Sequence, residues 1–146
     1  MAELTEGQRG LIALDWCQKE IRNGGFHQLL VNPTGNLVPW AIAGFDLIGA
    51  GKYRAILSEV ASMLGAEYPE TGAARQKAIG QLNKSQTSRI EELEQEFFSL
   101  LNSEEEDLEE YRGRFVVEHP DQFVLQRTRA GIFRTIIAAV LGKMKR

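Results

Sequence analysis

The chain has 146 residues, enough for one domain with a real core, and its apolar (43%) and charged (25%) fractions are globular values. Its single cysteine, Cys17, excludes an internal disulfide and suits a reducing compartment. The longest apolar stretch, 130–142, is interrupted by Arg134 and is too short for a bilayer, which needs roughly 20 residues, and the net charge of -3 is mild.

Along the chain, Thr5 with Gln8 forms a capping box, and Leu11, Leu14 and Ile21 follow on one face of a first helix. Asn23-Gly24-Gly25 is a helix stop, and 26–32 is a short turn or helix. Residues 32–36 (Asn-Pro-Thr-Gly-Asn) have loop chemistry. Residues 39–48 are apolar enough for a buried helix, ended at Gly49-Ala50-Gly51. Tyr53, Ile56, Leu57, Val60 and Leu64 make the next helical stripe, closed by Tyr68-Pro69, and 72–82 reads as a weaker helix.

Ser88 with Glu91 has the spacing of a second capping box, followed by Ile90, Leu93, Phe97, Leu100 and Leu101 on one face. Ser103 with Glu106 repeats the device ahead of Leu108, Tyr111 and Phe115, and His119-Pro120 ends that helix. The final stretch carries Ile132, Phe133, Ile136, Ile137, Val140 and Leu141 at helical spacing. No segment sustains a period of two. The prediction is an all-α fold of about six to eight helices: a domain over 1–123, then a basic amphipathic C-terminal helix over 124–146, packed on the domain or at a dimer interface.

The mild net charge hides two opposed patches. Residues 91–110 hold ten carboxylates and no basic side chain; residues 124–146 hold six basic side chains and no acid. With the apolar stripes turned inward, Glu91, Glu92, Glu96, Glu106, Glu109 and Glu110 are predicted to face outward on folded helices. A helix rises about 1.5 Å per residue. DNA spaces its phosphates by about 3.4 Å along a strand. A run in which half the residues are acidic therefore approaches the charge density of one strand. The alternative is a solvated surface, since outward glutamates are common and acids in a first turn suit the helix dipole. The carboxylates could also be neutralised by the chain's own basic tail.

Other chemistries find less support. Glu92 and Glu96 have the i, i+4 spacing of helical metal ligands, but such sites add histidine, and His27 and His119 are the only two, neither in a Glu-x-x-His pattern. Cys17 has no adjacent base and reads as a small buried hydrophobe. There is no dinucleotide fingerprint, P-loop or serine elbow. No catalytic residue, metal or cofactor is predicted, and the protein is expected not to be an enzyme. An N-terminus without a basic or apolar signal region points to the cytoplasm.

The motif Asn23-Gly24-Gly25-Phe26-x-Gln28-x-x-x-Asn32, with Trp16 and Glu20 ahead of it, resembles a signature of a bacterial family typified by a DNA-mimic protein. Residues 41–43 and 48–50, the Ile90–Phe98 segment and Val117-Glu118-His119-Pro120-Asp121-Gln122-Phe123 extend the likeness over about 10–123. The chain differs from the best-known mimic in its small net charge and its basic extension after Phe123. The resemblance implies an all-helical fold, a homodimer as one permitted assembly, and a non-enzymatic protein that covers the DNA-binding face of a regulator. It also admits an immunity protein that neutralises a bacterial toxin. The implied partner is a basic protein, with no direct contact to nucleic acid or membrane. The motif itself reads as structural: glycines for the backbone, Phe26 for the core, Asn23, Gln28 and Asn32 for capping and loop bonds.

Overall fold

The computed structural model describes residues 3–123. They form six α-helices and three single turns of 3-10 helix, with no strand among the described residues. The all-α prediction therefore holds for this domain, while the predicted C-terminal helix over 124–146 lies outside the described residues.

Helix α1 (Glu6–Val31) starts at the predicted capping box, with Thr5 Oγ1 accepting from the Gln8 backbone N–H at 3.1 Å and Gln8 Oε1 accepting from Thr5 N–H at 3.0 Å. Gly24 and Gly25 leave helical geometry, and Gly25 has φ +74, so the helix is interrupted at the predicted stop and resumes through Phe26. The turn Pro33–Leu37 leads into α2 (Val38–Leu47). Helices α1 and α2 touch backbone to backbone: a Cβ on Gly44 would lie 2.4 Å from the Gly10 carbonyl oxygen, so only glycine fits that crossing.

Helix α3 (Gly51–Ser62) buries Tyr53, Ile56, Leu57 and Val60 along the predicted stripe. Helix α4 (Gly72–Gly80) contributes one fully buried side chain, Arg75. Helix α5 (Lys84–Leu101) buries Leu93 and Phe97, and α6 (Leu108–Glu118) buries Leu108 and Phe115. An aromatic group from four elements centres the core: the Phe97 ring lies 5.7, 6.3 and 5.2 Å from Phe26, Phe45 and Tyr53, with edge-to-face geometry in each pair. The closing turn Pro120–Gln122 returns to the start of the chain, where Gln122 Oε1 accepts from Gly7 N–H at 2.6 Å.

Two predicted caps are elsewhere. Helix α5 begins at Lys84, four residues before Ser88, behind an Asn83–Gln86 capping box, so Ser88 is inside the helix. Ser103 makes no side-chain cap; Glu104–Glu106 is a single 3-10 turn, and Asp107 caps α6 by accepting from Glu109 N–H at 2.9 Å. The physical reason for the second shift is tertiary. The Tyr53 hydroxyl donates to the Glu106 carbonyl at 2.7 Å and pins the turn to α3.

Candidate partner-binding site

Helices α3 and α5 pack with their buried faces toward the core and leave a groove of about 780 Å³ between their outer edges. Its floor is apolar, with Ala55 and Ile56 from α3 and Leu93 and Leu100 from α5. Its walls are charged. Arg89 stands in the middle, donating to Glu59 Oε1 at 2.7 Å and Oε2 at 3.1 Å, to Glu92 at 3.1 Å and to Glu96 at 3.3 Å. Three carboxylates thus converge on one guanidinium. The bidentate bond from Arg89 holds the Glu59 carboxyl below the usual carboxylate range, and the same partners raise the Arg89 pKa. Lys52, also in the groove wall, reaches Glu106 at 2.8 Å.

The six predicted acids are not equivalent. Glu91 and Glu109 are exposed and have no ion-pair partner among the described residues. Glu92 and Glu96 are 66% and 54% exposed while sharing Arg89. Glu110 is exposed and pairs loosely with Arg114 at 3.5 Å. Glu106 departs from the outward orientation predicted for it: its side chain is only 12% exposed, held by Lys52 and by the Tyr111 hydroxyl at 3.0 Å. Those donors, the lysine first, lower its pKa. Glu94, between the outward positions, turns inward and accepts from Phe26 N–H at 2.7 Å.

The groove brings Glu92 and Glu96 together, with Glu106 joined to its wall through Lys52. Glu109 lines a second cleft, of about 430 Å³, with Asp107 and the α1 residues Asp15 and Gln18. In that cleft the buried Arg112 pairs with Asp15 at 3.6 Å and donates to Gln18, and burial lowers its pKa. The neutralising cations the sequence suggested were those of 124–146. Those residues lie outside the described residues; within the described residues the acidic run is met by Arg89, two residues ahead of it, by Lys52 from another helix and by Arg114. Glu59 and Arg89 were missed. Arg89 at i, i+3 and i+7 from Glu92 and Glu96 was a readable signal; Glu59, thirty residues away, gave none.

The Asn-Gly-Gly-Phe motif is a hinge fixed by hydrogen bonds. A Cβ on Gly25 would lie 1.9 Å from Glu94 Oε1, so glycine is required for space as well as for its positive φ. Glu20 gathers the rest: its carboxylate accepts from Gln28 Nε2 at 2.9 Å, Asn32 Nδ2 at 2.5 Å and Thr34 Oγ1 at 3.3 Å. These donors, Gln28 first, lower its pKa. Asn23 is exposed and Phe26 is fully buried. Cys17, beneath this hinge, is buried, and desolvation pushes its thiol up to about 12, so it is protonated at neutral pH.

The arrangement is a small all-helical domain with a charged groove on one side of its core, and no described helix is long and apolar enough to cross a membrane. The chain belongs to the DMP19-like protein family, whose family model matches residues 2–119. No curated protein and no solved structure matches the chain significantly.

Proposed function

We propose that the protein is a non-enzymatic DNA mimic that presents the carboxylates of α5 and its flanking turns to the basic face of a DNA-binding or nucleic-acid-handling protein in the cytoplasm. The observation that carries this reading is the convergence of Glu59, Glu92 and Glu96 on a single guanidinium. A set of carboxylates that already binds one arginine side chain has the chemistry to bind another, as phosphate oxygens do. Family membership supports it. Exposed Glu91, Glu104, Glu105 and Glu109 extend the negative surface and are positioned to steer a cationic partner at long range.

Arg89 sets the strength of this site. While it holds the three carboxylates, a partner's arginine must compete for them. Replacing Glu59, Glu92 and Glu96 with Gln is expected to weaken a basic partner at least tenfold, and Arg89→Ala is expected to strengthen it. Titration of an arginine-rich DNA-binding domain into each variant checks both signs; equal affinities for all three proteins would remove the groove from the account.

A further inference from the structure

We propose that Asn23-Gly24 is a site of spontaneous deamidation, and that the isoaspartate it yields loosens the hinge between α1 and α5. Asn23 is the one asparagine of the chain followed by glycine; Asn32 precedes Pro33, and Asn36, Asn83 and Asn102 precede Leu37, Lys84 and Ser103. A glycine leaves its backbone nitrogen unshielded and free to turn, whereas a proline nitrogen has no hydrogen to lose. The fold leaves the site open. Asn23 and Gly24 are both exposed. Gly24 has φ -154 and ψ 17, outside helical geometry, so the peptide that must turn lies at the break in α1 and not inside a regular turn. Glu20 holds the other side-chain amides of the motif, Gln28 at 2.9 Å and Asn32 at 2.5 Å, but the Asn23 side chain has no hydrogen-bond partner among the described residues.

The reaction needs only water. The Gly24 nitrogen bonds to Asn23 Cγ as the Cγ–Nδ2 bond breaks, and the side-chain nitrogen leaves as ammonia with the proton lost by Gly24. Water then opens the cyclic imide. Cleavage between the Gly24 nitrogen and Cγ gives aspartate. Cleavage between that nitrogen and the main-chain carbonyl carbon gives isoaspartate, whose main chain runs through Cγ and is longer by one methylene. Nothing is oxidised or reduced. The hinge has no slack to absorb the longer chain: a Cβ on Gly25 would lie 1.9 Å from Glu94 Oε1, and Phe26 N–H donates to that same oxygen at 2.7 Å. The new carboxylate also stands at the end of a helical segment, one turn after Glu20, where the helix dipole and a like charge both disfavour it. The Phe26–Glu94 bond fastens the motif to α5, the helix that carries Glu92 and Glu96.

The test is incubation of the full chain at neutral pH and physiological temperature, followed by peptide mass mapping and by methylation with an isoaspartyl methyltransferase. Asn23 is expected to convert about tenfold faster than the exposed Asn102, and the isoaspartate form to unfold at a lower urea midpoint than fresh protein. Asn23→Ser should remove the methyl acceptor and hold the fresh midpoint through the incubation. Asn23→Asp, which adds the charge without the methylene, should lose less stability than the isoaspartate form. Conversion of Asn23 no faster than that of Asn102, an isoaspartate form with the midpoint of fresh protein, or a loss already complete in Asn23→Asp would overturn the proposal. No partner enters this experiment, so its outcome is separate from that of the proposed function.

Discussion

Gly25 shows how one residue can tie a motif to a distant helix. Its φ of +74 breaks α1, and the break frees the Phe26 N–H to donate to Glu94 on α5. Gly25→Ala is expected to cost about 2 kcal/mol from backbone strain alone, more with the Glu94 clash, read as a lowered urea midpoint. Glu20 supplies a pH signature at the same hinge. The hydrogen bonds from Gln28 and Asn32 hold its folded pKa below the ordinary glutamate range, so the unfolded chain binds protons first as pH falls. Its contribution is complete above about pH 5 and is lost as pH drops through the folded value. Thermal midpoints from pH 7 down to pH 3 should fall on the acid side, and Glu20→Gln should flatten that fall; an unchanged slope would assign the acid sensitivity to Glu59 and Glu106, which are shifted in the same direction. The glycines, Gln28 and Asn32 were legible as a structural group. That Glu94 completes the hinge was not, because nothing local distinguishes it from the outward acids on either side.

The helices themselves were largely readable because each has a periodic apolar face, and the α3 stripe and the Thr5 cap stand as predicted. The starts of α5 and α6 were misplaced for two different reasons. The early start of α5 needs no buried side chain: its first turn is exposed and relies on the Asn83–Gln86 cap, so hydrophobic spacing could not reveal it. The turn before α6 follows a contact with Tyr53 from fifty-three residues away. Arg75, on the weakly amphipathic α4, was also silent in the sequence. It is fully buried and donates to the carbonyls of Leu30, Pro69 and Asn32 at 2.6, 3.0 and 3.3 Å, capping the end of α1 with a cation. Arg75→Leu leaves those carbonyls without their donor and is expected to cost about 3 kcal/mol, measurable by denaturant unfolding; a loss below about 0.5 kcal/mol would show that the end of α1 does not depend on it.

The protein as a body is a closed helical core carrying a groove whose acids are partly neutralised from within. The sequence showed the density of carboxylates, but it could not show which were already engaged. Of the six singled out, Glu106 is mostly covered and Glu92 and Glu96 share Arg89, whereas Glu91 and Glu109 stand open. The site therefore depends on a contest between internal and external cations, a feature of three-dimensional placement that charge counting misses. Exposed pairs of this kind contribute little to folding, so they can be exchanged for a partner's without unfolding the domain. The most direct measurement is the affinity of the full chain for an arginine-rich DNA-binding domain, with and without DNA competing, across a salt series. The account predicts binding that DNA displaces, that weakens steeply with salt, and that falls at least tenfold in the Glu59→Gln, Glu92→Gln, Glu96→Gln protein. Binding indifferent to salt, to DNA and to those three substitutions would contradict it.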